Sequence, residues 1–92
     1  LTKHLMIEKE KCISYQLHRY RDEIWTIVDG EGKLLIDGEV KTVKRGDVAY
    51  IVAGQKHALY ATKDLHFIEV QIGKELVEDD IERLAWNWES EK

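Results

Sequence analysis

Several features that mark other classes of protein are scarce or missing in this sequence. It has one cysteine, which excludes an internal disulfide framework, and no proline, so its turns depend on six glycines. No apolar run approaches the ~20 residues needed to span a bilayer, and no secretory leader opens the chain. No basic block interleaved with aromatic residues is present, and the net charge is −4. We therefore expect a cytoplasmic protein with neither a membrane nor a nucleic acid as partner.

The length and composition are those of one small globular domain. The 92 residues leave no room for a second domain, and the hydrophobic and charged fractions of 43% and 35% are ordinary. A lone core of this size gives modest stability, so a closed barrel or a dimer partner would help. We predict a single domain over residues 1–92, with its core over about 5–73.

Short stretches of period-two or fully apolar character lie between the glycines, which is typical of β-strands. The predicted strands are 5–7, 12–18, 23–28, 33–36, 39–43, 48–52, 57–61 and 65–72. Asp37 and Gly38 form a strong two-residue hairpin signal between two of them. Seven or eight short strands at near-regular spacing predict an all-β sandwich or closed barrel.

Only the C-terminal tail departs from the period-two pattern of apolar residues. An acidic turn at 78–80 precedes Ile81, Leu84, Ala85 and Trp88, which recur at three and four residues. This pattern predicts a short C-terminal helix within a helical tail over 78–92, packed over the barrel.

Four side chains with metal-binding chemistry occupy compatible strand positions. Gln16 and His18 share one face of a strand, and Glu23 opens the next strand, which can pair antiparallel with it. His57 follows a glycine turn at the start of a later strand. This mixed set of N and O ligands suits Zn, Fe, Mn, Ni or Co better than Mg or Ca, and leaves open positions for water or substrate. The alternative is that the histidines are packed or surface residues.

The spacing of these residues resembles the two motifs of the cupin superfamily. The first cupin motif, G-x5-H-x-H-x3,4-E-x6-G, is matched over residues 10–30, with Gln16 in place of the first His. The second, G-x5-P-x-G-x2-H-x3-N, is matched over residues 46–61. The resemblance implies a cupin fold, which is a small double-stranded β-helix or jelly-roll barrel. It also implies that Gln16, His18, Glu23 and His57 bind a divalent metal.

A more local resemblance is to type II mannose-6-phosphate isomerases. Residues 14–25 read SYQLHRYRDEIW and resemble that family's S-x-Q-x-H-x-H-R-x-E-H-W, and the change of His to Gln at the first ligand is also found there. Residues 68–73 (IEVQIG) and 78–83 (EDDIER) resemble its I-E-V-Q-x-G and E-D-D-I-x-R. In many bacteria this cupin follows a mannose-1-phosphate guanylyltransferase domain, which is absent from this chain.

This chain departs from the family pattern around the ligand positions. Tyr20 and Ile24 stand where the family usually has His, and Glu10, Val52 and Ala61 replace the motif Gly, Pro and Asn. The family ending D-x-Y-G-R is replaced over residues 86–90, so its final Gly and Arg are absent. The ligand positions are kept, while the residues around them are altered.

The resemblance implies a metal-dependent aldose–ketose isomerase that interconverts mannose 6-phosphate and fructose 6-phosphate in carbohydrate or polysaccharide biosynthesis. Zinc is the expected ion, with manganese, nickel, cobalt or iron as alternatives. A phosphate needs a cationic anchor, and Arg19, Arg21, Arg45 and Lys56 lie near the ligand-bearing segments. Arg21 matches the family best, so we predict it as catalytic and, with Lys56 and Tyr50, as substrate-binding. Solvated surface charges are the alternative.

The sequence is also compatible with two other functions and with a homodimer. A non-catalytic cupin could bind a sugar or another small molecule through Trp25, Tyr50 and Tyr60, although such aromatics also simply fill cores. Another metal-dependent reaction, such as dioxygenation, is the third candidate. A homodimer is expected, with Trp86 and Trp88 either meeting a second copy or packing on their own barrel.

Overall fold

The computed structural model describes residues 1–74 and 76–88. Within them the chain forms nine β-strands: β1 Thr2–Ile7, β2 Cys12–Leu17, β3 Asp22–Asp29, β4 Glu31–Ile36, β5 Glu39–Lys44, β6 Val48–Ile51, β7 His57–Ala61, β8 Leu65–Ile72 and β9 Glu82–Arg83. No helix in these residues is long and apolar enough to cross a membrane.

The strands form two antiparallel sheets. One has four strands in the order β1-β8-β3-β6, and the other has five in the order β5-β4-β7-β2-β9. The inward side chains of β3 and β8 alternate with outward ones, which gives each strand one buried face. The all-β prediction is therefore confirmed, and residues from both sheets enclose one interior.

The predicted hairpin between β4 and β5 is formed. Asp37 and Gly38 adopt φ values of 50° and 78°, and Ile36 pairs with Glu39 across the turn. Positive φ at both central residues is the geometry of a type I′ turn, for which Asp-Gly is a preferred pair. Gly30 is needed for a different reason, because a Cβ at this position would overlap the carbonyl oxygen of Asp64.

The main core lies between the two sheets. Trp25 is 1% exposed and packs on Phe67, with their ring centroids 5.0 Å apart. The other buried members of this cluster are Ile7, Ile27, Leu34, Val43, Ile51, Leu59, Ala61 and Leu65. Burial of these side chains is the main favourable term in folding, at ~1.5–3 kcal/mol for each large one. This apolar cluster fills only part of the interior. Buried polar side chains, which include His18, Glu23 and His57, occupy the rest.

The predicted C-terminal helix is wrong for the residues that the structure describes. Instead of a helix, 78–79 form a turn and β9 adds to the edge of β2, with Gln16 opposite Arg83. Asp80, one of the acidic residues predicted for the first helical turn, has another role, since its carboxylate accepts hydrogen bonds from the chain after β2. Hydrogen bonds to residues distant in the sequence therefore override the local preference for a helix. Residues 89–92 of the predicted tail lie outside the described ones.

The tail covers the outer face of the five-stranded sheet. Trp88 is 9% exposed and packs on Tyr60, at 5.6 Å between ring centroids, while Trp86 contacts Tyr15 and Trp88. The outward side chains of β7, Ala58 and Tyr60, are therefore buried along with its inward ones. Both tryptophans thus pack on their own barrel, which was one of the two alternatives.

Candidate metal centre

Strands β2 and β7 bring the two predicted histidine ligands together. Gln16 on β2 is the register partner of His57, the first residue of β7, and His18 follows β2 directly. The turn before β7 is tied to the same place, because the Gly54 amide donates to the His18 carbonyl at 2.6 Å. The two imidazole rings lie 5.3 Å apart between centroids. The predicted proximity of His18 and His57 is therefore present.

Glu23 reaches the same point from the opposite sheet. It is an inward residue of β3, and its Oε2 lies 3.3 Å from Nε2 of His18. One ligand atom from each of His18, Glu23 and His57 can be chosen so that all lie within 4.8 Å of one another. The three residues are 3%, 1% and 0% exposed. The interior of the barrel thus holds a compact buried set of two imidazoles and one carboxylate.

Backbone carbonyls orient both imidazoles. Nδ1 of His57 lies 2.9 Å from the Gln55 carbonyl oxygen, and Nδ1 of His18 lies 2.6 Å from that of Asp80. A carbonyl only accepts, so these hydrogen bonds require a proton on each Nδ1, and the neutral ring then has its lone pair on Nε2. Nε2 of His57 is buried and has no hydrogen-bond partner among the described residues. Buried polar atoms are rarely left so, and this lone pair fits a metal ligand.

Burial also sets the charge of His57. Loss of solvent lowers its pKa to about 4, and this outweighs the hydrogen bond to the Gln55 carbonyl. The ring is consequently neutral near pH 7, which is the form that binds metals.

Gln16 lies at the edge of the cluster. Its Nε2 is 3.3 Å from Nε2 of His18, and its Oε1 accepts a hydrogen bond from the Ser14 hydroxyl at 2.9 Å. Rotation of the amide by 180° would exchange the two atoms and turn the oxygen toward the histidine. Gln16 thus contacts His18 and is the register partner of His57.

Arg21 is the one predicted substrate residue that contacts the cluster. Its Nε donates to Oε2 of Glu23 at 2.8 Å, and its Nη2 lies 3.4 Å from Nε2 of His18. The side chain is only 9% exposed. A guanidinium therefore lies against two of the candidate ligand residues.

The other predicted substrate residues lie elsewhere. Tyr50 faces away from the interior, opposite Ile24 in the sheet, and donates its hydroxyl proton to Asp22 at 2.9 Å. This hydrogen bond is the main reason that the pKa of Tyr50 is raised. Lys56 is exposed beside the start of β7. The structure does not bring these two side chains to the cluster.

A polar layer beneath the cluster was missed by the sequence analysis. The Trp25 indole donates from Nε1 to Glu23 at 3.0 Å and to Glu69 at 3.2 Å, and the amide of Gln71 donates to Glu69 at 3.0 Å. Burial raises the pKa of the Glu69 carboxyl. The signal was available, because period two along β8 places Glu69 and Gln71 on the same face as Phe67.

Comparison with solved structures identifies the fold. A predicted oxalate decarboxylase from Thermotoga maritima superposes with a TM-score of 0.76 at 28% identity, covering 79% of this chain and 65% of its own. A Klebsiella pneumoniae protein with a double-stranded beta-helix domain gives 0.80 at 19% identity, covering 92% and 74%. A cupin protein from Bacteroides fragilis gives 0.71 at 22%, covering 84% and 68%. The last two likenesses concern the fold alone.

The protein shares the double-stranded β-helix fold of these structures, and a buried histidine and glutamate cluster lies inside it. The chain belongs to the mannose-6-phosphate isomerase C-terminal family, whose model matches residues 1–86.

Its relatives are much longer proteins. It is 35% identical over 86 residues to the mannose-1-phosphate guanylyltransferase of Escherichia coli, and 40% identical over 86 residues to that of Salmonella montevideo. It is 36% identical over 84 residues to the alginate biosynthesis protein AlgA of Pseudomonas fluorescens. These alignments cover 91%, 91% and 89% of this chain but only 18%, 18% and 17% of the relatives. The chain thus corresponds to less than a fifth of each of them.

Proposed function

We propose that this cupin is a metal-dependent sugar-phosphate isomerase domain that interconverts mannose 6-phosphate and fructose 6-phosphate. The observation that carries the proposal is the cluster of His18, Glu23 and His57, in which a buried imidazole nitrogen faces two further ligand groups. Membership of the mannose-6-phosphate isomerase C-terminal family supports the choice of substrate.

His18, Glu23 and His57 would hold the metal, with Gln16 as a fourth ligand after rotation of its amide. Two neutral imidazoles, a carboxylate and an amide oxygen suit zinc, the ion that we favour, and manganese, nickel, cobalt or iron are the alternatives. When bound, such an ion supplies Lewis-acid polarisation of a substrate oxygen.

Arg21 is proposed as the catalytic residue of the protein itself. Isomerisation moves a proton between adjacent carbons and passes through an enediolate, whose negative charge is costly in a buried site. The Arg21 guanidinium is permanently charged and lies beside Glu23 and His18, so it can donate to that charge or to the phosphate of the substrate. The other candidate cations are exposed: Arg19 pairs with Glu82, and neither Arg45 nor Lys56 contacts the cluster in the described residues, so we choose Arg21.

The test is turnover by the purified chain after loading with zinc, manganese, cobalt, nickel or iron. We expect fructose 6-phosphate to form from mannose 6-phosphate, with deuterium from heavy water entering the product at the carbon that gains the proton. Glu23→Gln is expected to abolish turnover, and Glu39→Gln, on an exposed residue of β5, to preserve it. Absence of interconversion with every metal would remove the isomerase proposal.

A second candidate is a cupin that binds a sugar or another small molecule without turnover. The observation in its favour is the altered family ending, in which Trp86 and Trp88 stand at the Asp and Tyr positions and pack on Tyr15 and Tyr60. The sequence has Glu89 and Ser90 at the positions of the family's Gly and Arg. Saturable binding of mannose 6-phosphate to metal-loaded protein, with no product after long incubation, would select this candidate.

The biological setting that we propose is polysaccharide biosynthesis. This setting is suggested by the relatives of the chain, which include alginate biosynthesis proteins of several Pseudomonas species. Loss of an extracellular polysaccharide after deletion of the gene would support it, and an unchanged polysaccharide would oppose it.

The homodimer remains a prediction, and the four-stranded sheet supports it. Its outer face exposes apolar side chains on three of its four strands, with Met6 of β1 at 68%, Ile72 of β8 at 46% and Val48 of β6 at 63%. Apolar patches of this kind are typical of protein interfaces, and a second copy would bring an identical face. Light scattering should give twice the 10.8 kDa chain mass, and a single-chain mass would reject the dimer.

A further inference from the structure

One residue of the C-terminal segment contacts three consecutive residues beside the cluster. We call residues 76–84 the strap. From the strap, the Asp80 carboxylate accepts hydrogen bonds from the backbone amides of Arg19, at 2.8 Å, and Tyr20, at 3.0 Å. The Asp80 carbonyl oxygen lies 2.6 Å from Nδ1 of His18. Asp80 therefore holds residues 18, 19 and 20 with three different oxygen atoms.

The carbonyl contact fixes the chemical form of His18. A carbonyl oxygen cannot donate, so the short contact requires a proton on Nδ1, and the neutral ring then has its lone pair on Nε2. Nε2 is also the nitrogen that lies on the side of Glu23, whose Oε2 is 3.3 Å away. The strap therefore determines which nitrogen of His18 is available as a ligand.

The carboxylate contacts hold the carbonyl where it is needed. Asp80 is only 7% exposed, and the two amides that it binds begin the connection from β2 to β3, which carries the chain from His18 to Glu23. Hydrogen bonds on either side of Asp80 also attach the strap to the rest of the protein. The Leu84 amide donates to the Tyr15 carbonyl at 2.7 Å, and the Val77 carbonyl accepts from Arg21 at 3.4 Å.

We propose that Asp80 is a positioning residue for the metal centre, acting through His18 from the opposite end of the sequence. This inference rests on the proposed metal site but not on isomerase activity. Carbonyl and carboxylate partners of metal-bound imidazoles commonly contribute 10- to 100-fold in metal affinity. We expect an effect of that size from Asp80.

The first test needs no variant. Nitrogen-15 NMR of the metal-free protein at pH 8 distinguishes the two neutral tautomers of each histidine. For His18 we expect the proton on Nδ1, because the Asp80 carbonyl accepts it. Finding the proton on Nε2 would overturn the proposal, whether or not any variant folds.

The second test removes the side-chain contacts. In Asp80→Ala we expect part of the His18 population to shift to the Nε2–H tautomer, and zinc affinity, measured by competition with a chromophoric chelator, to fall about 10- to 100-fold. Asp80→Asn keeps one acceptor oxygen, so a smaller loss is expected, and it replaces Asp80→Ala if circular dichroism shows that the latter is unfolded. Asp79→Asn is the matched control, since it removes the same charge from an exposed neighbour.

The outcomes separate this proposal from the proposed function. Wild-type tautomer and zinc affinity in a folded Asp80 variant would overturn the positioning role. Equal losses in the Asp79 and Asp80 variants would also overturn it, because charge alone would then explain the effect. Weakened zinc binding in a protein without turnover would support the positioning role while rejecting the isomerase. If the wild type binds none of the tested metals, the metal site fails, and with it this proposal.

Discussion

The guanidinium of Arg21 donates from Nε to Oε2 of Glu23 at 2.8 Å, and the same carboxylate oxygen lies 3.3 Å from Nε2 of His18. A permanent cation of the protein thus neutralises the carboxylate that we propose as a metal ligand. Unpaired buried carboxylates are unfavourable, so Arg21 stabilises the metal-free form of the site. The arrangement also means that Arg21 and a metal ion compete for Glu23.

Arg21→Ala should therefore bind zinc more tightly than the wild type. The substitution leaves Glu23 without its permanent cationic partner in the metal-free protein and removes a positive charge from beside the incoming ion, and both effects favour the metal-bound form. We expect at least a tenfold decrease in the zinc dissociation constant, together with loss of any isomerase turnover. Competition with a chelator measures the first and a coupled assay the second.

The control for that variant is Arg19→Ala, which removes a cation that is exposed and paired with Glu82. Its zinc affinity and turnover should stay near the wild-type values. Weaker zinc binding by Arg21→Ala than by this control would contradict the competition between Arg21 and the metal.

Glu23→Gln should lose its metal during purification. The substitution replaces an anionic ligand with a neutral amide, so a larger loss of affinity is expected than the 10- to 100-fold that outer-shell partners contribute. Elemental analysis of protein prepared without chelator or nickel affinity resin would measure the effect against wild type. Equal metal content in the two proteins would show that the carboxylate is not a ligand.

Zinc should stabilise the folded protein strongly. A ligand that binds only the folded state at 100 times its dissociation constant adds ~2.7 kcal/mol, which in a domain of this size corresponds to a rise in Tm of roughly 10–20 °C. A chelator should reverse the shift. Calorimetry with and without zinc tests this, and the rise should disappear in a His18→Ala, His57→Ala double variant.

The metal-free protein should lose stability as the pH falls from about 6.5 to 4. Burial lowers the pKa of His57 to about 4 from 6.5, so in this interval the unfolded chain binds a proton that the folded chain does not. The contribution of His57 is complete above pH 6.5 and lost by pH 4, at about 3 kcal/mol in total. Urea unfolding with a chelator present measures it, and His57→Gln should have the shallower pH dependence. Parallel pH profiles would count against the lowered pKa.

The sequence predicts most of the fold because β-strand signals are local. Period two along β3 and β8 and the Asp37–Gly38 turn are read directly from neighbouring residues. The proximity of His18, Glu23 and His57 is implied by the resemblance to the cupin motifs, while their strand positions alone also allowed packed or surface histidines.

The features that the sequence does not predict depend on contacts between residues that are far apart in the chain. Asp80 resembles a residue of a helical first turn until the strap crosses to the amides of residues 19 and 20. Tyr50 lies near the motif in sequence, but its register opposite Ile24 turns the ring outward. The helix prediction fails because hydrogen bonds between remote segments override local propensity, whereas the direction of Tyr50 depends on which face of β6 is buried.

The most direct measurement is anomalous diffraction at the zinc absorption edge from crystals of the zinc-loaded protein. We predict a single strong peak inside the barrel, within bonding distance of Nε2 of His18, Nε2 of His57 and the carboxylate of Glu23. A peak confined to surface residues, or none in the interior, would contradict the metal centre on which the proposed function depends.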